Sequence, residues 1–171
     1  MDNLVLAVNN VEHSAVRTEA DELTYNLHII LRYELERDLL NGKIEAKNLP
    51  QIWNRKTKEL IGYEVKNDAE GVLQDIHWSC ELMGYFPNYT LGNIFGAQLY
   101  AKFKKDTPNW QKELERGNLN IIIDWLKENV LEKGNLFDPF ELVKEVTEEE
   151  VSSKYLIDYH KEKFSKIYDL N

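Results

Sequence analysis

Residues 19–40, EADELTYNLHIILRYELERDLL, decide the fold class of this chain. Four apolar residues recur there at helical spacing: Leu23, Leu27, Ile30 and Leu31. Such spacing predicts an apolar stripe along one side of a helix. Asn41-Gly42 follows directly, and glycine just after the last turn is typical of a helix C-terminus. The stretch therefore predicts a long α-helix over residues 19–40.

Helical signals also dominate the rest of the sequence, and no stretch alternates convincingly with the two-residue period of a β-strand. Capping residues, prolines in first turns and glycine stops predict further helices at residues 50–61, 90–105 and 119–132, at the capping box DPFE of residues 138–141, and after residues 152–153. Asn67-Asp68 is predicted to cap a short helix that carries residues 74–78. GYFPNYTLG, residues 84–92, is predicted to be a loop. Gly92 and Gly96 form a smooth strip that predicts helix packing, with a binding site as the alternative. Together these patterns predict a single all-α domain spanning residues 1–171.

The composition is that of an ordinary globular protein, with 43% hydrophobic and 30% charged residues. A net charge of −9 argues against a nucleic-acid-binding or anionic-membrane surface. The only cysteine is Cys80, so the sequence offers no internal disulfide and no thiolate zinc site. It has no apolar run of membrane-spanning length and no signal-peptide pattern, which predicts a cytoplasmic protein.

A polar stripe lies opposite the leucines of the first predicted helix. Its members are Arg17, Asp21, Tyr25, His28 and Arg32. One interpretation is a solvated face with helical ion pairs. The other is the lining of a cleft, because tyrosine and histidine prefer half-buried positions with a partner.

GVLQDIHWS, residues 71–79, places four chemically active side chains close together: Gln74, Asp75, His77 and Trp78. Such groups are costly to bury unless they bond to each other, to a ligand or to water. His77 has two interpretations, a satisfied core histidine or an imidazole that Asp75 orients for acid–base or binding chemistry.

The histidines do not predict a metal centre of the usual helical kind. They are His13, His28, His77 and His160. No two lie four residues apart, and the sequence contains no HExxH pattern.

Three segments in order resemble the thermostable, Taq-type zinc carboxypeptidase family. Val16, Arg17, Ala20 and Asp21 match its I-R-x-x-A-D box, with valine for the usual isoleucine. Gly71, Gln74, Asp75, His77 and Trp78 match its G-x-x-Q-D-x-H-W box, and GYFPNYTLGN follows at residues 84–93. The resemblance continues to IYDL at residues 167–170, so it covers nearly the whole chain.

This resemblance implies a rod-like, almost wholly helical homodimer with a deep cleft for peptide C-termini. The family's zinc is held by an HExxH helix and a later glutamate, all N-terminal to the I-R-x-x-A-D box. The chain therefore resembles the C-terminal third of such an enzyme. It is predicted to be inactive on its own, to bind no stoichiometric zinc and to self-associate.

The resemblance also implies roles for individual residues. Arg17 would clamp the substrate's free carboxylate, since a planar guanidinium can bond both of its oxygens. His77 and Asp75 would assist binding or stabilise the tetrahedral intermediate as catalytic residues. The other residues assigned to substrate binding are Asp21, Gln74, Trp78, Tyr85 and Tyr89.

Two alternatives remain open at this point. Glu81 stands where the family commonly has a small residue, and His13 where proline is common, which favours a repurposed helical remnant that binds peptides or a partner without hydrolysis. In the second alternative, a separate chain supplies the zinc helix.

Overall fold

The computed structural model describes residues 3–170, and these residues form helices and turns but no strand. The α-helices in this part of the chain are α1 (Asn3–Val8), α2 (Tyr25–Leu40), α3 (Leu49–Leu60), α4 (Pro87–Asp106), α5 (Trp110–Glu115), α6 (Asn120–Asn129), α7 (Pro139–Thr147) and α8 (Lys154–Tyr168). Short 3₁₀ turns lie at Arg17–Glu19, Ala46–Asn48, Trp78–Cys80 and Leu131–Lys133. The all-α prediction is confirmed. None of the helices described is both long and apolar enough to cross a bilayer.

The first long helix begins later than its sequence pattern predicts. Asp21 Oδ1 accepts hydrogen bonds from the backbone N–H groups of Leu23 and Thr24, both at 2.9 Å. An aspartate that binds nearby backbone groups in this way favours a turn over a helix interior. The helix therefore begins at Tyr25, and Arg17–Glu19 is a separate 3₁₀ turn.

The structure divides into two compact units. The first unit contains the described residues up to Thr90 and those from Ser165 onward. Its apolar core joins α2 and α3 with the chain that follows them: Leu31, Leu35, Leu49, Trp53 and Ile61. The prediction of a single domain stays a prediction.

The observed exposure of residues on both sides of α2 differs from the predicted exposure. Leu23, just before α2, and Ile30 are exposed, so the predicted apolar stripe is wrong at these two positions. His28 and Arg32 of the polar stripe are fully buried, and Glu36, one helical turn further along the same side of α2, is buried as well. The solvated-face interpretation is therefore wrong, because the side chains of Gln74, Asp75 and Trp78 and the backbone N–H of Gly84 bond to this polar side of the helix.

The short helix predicted to follow residues 67–68 and to carry residues 74–78 is absent from the structure. Turns lead instead to the 3₁₀ turn at Trp78–Cys80, and the Gln74 side chain bonds to the carbonyls of Ala15 and Glu70. Gly71 fits a close approach here, because a Cβ at this position would lie 3.0 Å from Val65 Cγ1. Tertiary contacts override the local preference for helix at this segment.

Helix α4 begins at Pro87, inside the segment that the sequence predicts to be a loop. Proline suits the first turn of a helix, because its fixed φ is helical and its missing N–H has no partner there anyway. Gly92 and Gly96 are exposed, and a Cβ at either would meet no described atom within 4 Å. The strip therefore does not carry the predicted helix packing within residues 3–170.

The second unit, Leu91–Phe164, has its own core of Phe103, Trp125 and Val146. The capping box of α7 is confirmed, since Asp138 accepts from the N–H of Glu141 and the Glu141 side chain accepts from that of Asp138. The sequence patterns did not predict α1 or α5. An apolar cavity of about 420 Å³ lies between α4, α5 and α6, with Phe103 and Trp125 in its lining.

Candidate substrate-binding site

Asp75 lies between two arginines from different segments of the first unit. Arg17 donates from Nε and Nη2 to Asp75 Oδ1 at 3.1 and 2.8 Å. Arg32, from α2, donates from Nε to Asp75 Oδ2 at 2.6 Å. Arg32 is 0% exposed and Arg17 is 8% exposed. The two sequence boxes are therefore joined by a buried ion triad.

Gln74 ties the same segments together through its amide group. Its Oε1 accepts from the backbone N–H of Arg17 at 2.9 Å and from Arg32 Nη2 at 2.7 Å. Its Nε2 donates to the carbonyls of Ala15 and Glu70. All the ordinary hydrogen-bonding capacity of this amide is used within the chain.

The triad keeps all three of its members charged. Burial alone would raise the pKa of the Asp75 carboxyl, but Arg32 and Arg17 outweigh it and hold this pKa below its ordinary value. Burial would lower the pKa of Arg17, but Asp75 outweighs it and raises this pKa. Burial lowers the pKa of Arg32 to about 10 in spite of Asp75, which still leaves it protonated at neutral pH.

Hydrogen bonds and aromatic rings surround the Arg32 guanidinium. Its Nη1 donates to the carbonyl of His28 at 2.8 Å, and its guanidinium lies over the rings of Trp53 and Phe86, 4.8 and 5.6 Å from their centroids. Arg17 is less enclosed. Its Nη1 donates to Tyr25 Oη at 3.0 Å, so one N–H on each terminal nitrogen has no acceptor among the described residues.

His77 packs among aromatic rings beside the triad. Its Nε2 shares a hydrogen bond of 3.0 Å with Tyr89 Oη, and its ring centroid lies 4.4 Å from that of Phe86. Its Nδ1 is buried, has no hydrogen-bond partner and lies 3.8 Å from Asp75 Oδ1. That separation is too long for a hydrogen bond, so Asp75 does not orient the imidazole by one here.

Tyr85 and Tyr89 form an aromatic edge next to Arg17. Their ring centroids are 5.5 Å apart, and the Arg17 guanidinium lies 5.0 Å from the centroid of Tyr89. Tyr85 is 42% exposed, so this edge reaches solvent. The structure thus brings these two tyrosines together with Arg17, Asp75 and His77.

Two other residues that the sequence assigns to substrate binding have partners within the chain. Asp21 Oδ2 accepts from the N–H of Glu12 and from Thr24 Oγ1, while its Oδ1 caps the turn before α2. Trp78 Nε1 donates to Glu36 Oε2 at 2.7 Å. Their binding roles stay predictions, and their polar atoms serve local structure here.

Sequence reasoning did not assign three residues of this region to the site. The predicted polar stripe contains Arg32 and His28 without an individual role for either, and it stops before Glu36. The three lie four residues apart on α2, so a polar file extended by one further turn would have indicated all of them. His28 is fully buried with Nε2 unpartnered, and burial together with Arg32 and Arg17 lowers its pKa to about 4.

A metal does not fit the side chains described here. Within residues 3–170, no cluster of three or more histidine, cysteine, aspartate or glutamate side chains could hold a metal ion. The available polar groups of the site are instead guanidinium, imidazole and phenol groups, which suit an anionic organic ligand.

In residues 3–170 this geometry defines an all-helical protein with a buried arginine–carboxylate centre beside two tyrosines, of which Tyr85 is exposed. Residues 1–164 match the model of the Carboxypeptidase Taq (M32) metallopeptidase family, and the chain belongs to that family. It is 43% identical over 168 residues to Carboxypeptidase 1 of Bacillus subtilis (strain 168) and 39% identical over 163 residues to Thermostable carboxypeptidase 1 of Pyrococcus furiosus. It also resembles the crystal structure of the M32 carboxypeptidase from Deinococcus radiodurans R1, with a TM-score of 0.93 and 36% identity.

The matches cover nearly all of this chain but only part of each relative. The two sequence matches cover 98% and 95% of this chain and 34% and 33% of the relatives, in the order given above. The structural match covers 96% of this chain and 33% of the Deinococcus chain. The chain thus spans about a third of the length of these proteins.

Proposed function

We propose that this chain supplies the carboxylate-binding side of a metallocarboxypeptidase that removes residues from the C-termini of peptides. The observation that carries the proposal is the state of Arg17. Its guanidinium is held rigidly by Asp75 and Tyr25 but retains two N–H groups without a described acceptor. A planar guanidinium of this kind can bind a terminal carboxylate through parallel hydrogen bonds.

The neighbouring residues support binding of a peptide's last residue. Tyr85 and Tyr89 offer aromatic surface beside Arg17 for its side chain. The imidazole of His77, whose Nε2 shares a hydrogen bond with Tyr89 Oη, is proposed to assist binding or to stabilise the oxyanion formed during hydrolysis. Asp75 acts as the counter-ion that orients Arg17, which makes its assistance to the reaction indirect.

Zinc is the metal that we propose for the complete enzyme. Bound zinc would supply activated water for the hydrolysis. Its ligands are proposed to come from the part of the family's length that this chain does not span. The alternative function is peptide binding without hydrolysis, and the same arginine site supports that step as well. We further propose that the protein acts in the cytoplasm.

The carboxylate clamp can be tested with two matched peptides, one with a free C-terminus and one amidated. The free acid should bind about tenfold more tightly, since hydrogen bonds to a charged group contribute roughly 1.5–3 kcal/mol. Arg17→Ala should erase this preference, and Arg17→Lys should restore only part of it because an ammonium lacks the two parallel donors. NMR titration of each variant measures both affinities.

A matched control for this experiment is Arg55→Ala on α3. Arg55 is an exposed arginine of the same unit, with one surface ion pair to Glu59. Its removal should leave the preference for the acid unchanged. Equal binding of acid and amide by the unmodified protein, or binding of neither, would contradict the proposed function.

We also propose that this chain forms homodimers or larger assemblies through exposed apolar surface. Helix α1 presents Leu4 and Val8, which are 73% and 74% exposed. Light scattering at high micromolar concentration should report a mass above that of the monomer. The variant Leu4→Glu/Val8→Glu should shift this mass toward the monomer. If the unsubstituted protein has the mass of a monomer in this measurement, the proposal is contradicted.

A further inference from the structure

We propose that Arg32 is a positioning residue that keeps the charge of Arg17 available to a substrate carboxylate by sharing Asp75 with it. This inference rests on the proposed function, since it assumes that Arg17 binds the carboxylate. It assigns the site's excess positive charge to the pair of arginines and makes Asp75 a shared counter-ion.

The division of Asp75 between the two arginines supports this role. Oδ1 accepts both hydrogen bonds from Arg17, whereas Oδ2 accepts from Arg32. Two guanidiniums and one carboxylate leave the triad with one unit of positive charge. Without Arg32, Arg17 and Asp75 would form a neutral pair, and an incoming carboxylate would have to compete with Asp75 for Arg17.

Arg32 cannot contact a substrate itself. It is 0% exposed, and each of its three guanidinium nitrogens bonds to a group of this chain. Stability alone is a weak explanation for such a residue, because well-packed apolar side chains in place of a buried ion pair are often equally stable or more so. A role in setting the charge around Arg17 explains both why residue 32 is buried and why it is an arginine.

The other ionisable groups nearby do not alter the net charge of the triad. Asp21 accepts hydrogen bonds from Glu12, Leu23 and Thr24, and Glu36 accepts from Trp78 and Gly84. No hydrogen bond or ion pair joins either carboxylate to Arg17 or Arg32 in the described chain. His28 is buried and uncharged at neutral pH, since its pKa is about 4.

The test combines substitutions that change the charge of the triad in opposite directions. Arg32→Gln makes it neutral and should reduce the preference for the acid peptide from about tenfold to within about twofold of equal binding. Arg32→Lys keeps the charge and should retain most of the preference. Arg32→Gln/Asp75→Asn restores one positive charge and should bring the preference back to within about threefold of its original value.

Recovery in the double variant separates a charge effect from a structural one. If Arg32 only supported the fold, a second substitution in the triad would weaken binding further. A double variant that is folded by circular dichroism and binds acid and amide equally would overturn the inference. Loss of the preference in Arg32→Lys equal to that in Arg32→Gln would also overturn it.

A second measurement needs no peptide and separates this inference from the proposed function. The pKa of the Asp75 carboxyl, followed by ¹³C NMR, should rise in Arg32→Gln because one of the two guanidinium partners that hold it low is gone. An unchanged value would refute the sharing of Asp75. If the original protein binds acid and amide peptides equally, the proposed function fails, and the pKa of Asp75 alone decides whether Arg32 shares its charge.

Discussion

Replacement of Asp75 with alanine should lower the free energy of unfolding of the first unit by about 3–5 kcal/mol, the cost typical of a buried ion pair that loses one partner. Asp75 is the acceptor for both Arg17 and Arg32, so its removal leaves two guanidiniums buried next to each other without a counter-ion. Arg32 cannot reach water, because it is 0% exposed and lies against Trp53 and Phe86. Native-state hydrogen exchange of the amides of Ile29, Leu31 and Leu35 in α2 measures this free energy within the first unit.

Glu59→Ala is the matched control for this prediction, because Glu59 lies in the same unit. Glu59 forms an exposed ion pair with Arg55 at 3.7 Å, and surface pairs of this kind contribute at most about 1 kcal/mol. The contrast between the two carboxylates isolates the effect of burial. A loss below about 1 kcal/mol in Asp75→Ala would mean that Arg32 finds another partner or water, and would contradict the buried triad.

Acidification should destabilise the first unit between pH 6.5 and about 4 through His28. The folded-state pKa of His28 is about 4, against an ordinary value of 6.5, because the ring is buried and lies near Arg32 and Arg17. In this interval the unfolded chain binds a proton that the folded chain does not, so stability falls as the pH falls. The full difference corresponds to a loss of about 3 kcal/mol below pH 4.

The measurement is the unfolding free energy of α2 amides from hydrogen exchange at several pH values. His28→Gln removes the titrating group, so its stability should vary less over the same interval. Asp75 does not interfere with this measurement. Its pKa is held below its ordinary value, so its contribution to stability is lost only at lower pH. Equal slopes of stability against pH in the original protein and His28→Gln would show that His28 does not titrate in this way.

Much of the fold follows from local patterns in the sequence. Helical periodicity, the proline in the first turn of α3 and the capping box of α7 predicted the fold class and the approximate place of most long helices. These signals are local, since a helix forms hydrogen bonds between residues four apart. The two boxes around Arg17 and Asp75 likewise indicated the right family.

Tertiary structure decided which of these polar residues meet and which atoms remain available. Asp21 stands in the same box as Arg17, but it caps a turn, whereas Arg32 lies outside both boxes and completes the triad. The polar side of α2 is buried because Asp75, Gln74 and Trp78, about forty residues away, supply its partners. No local pattern encodes such pairings, because the exposure of a polar face depends on the segment that folds over it.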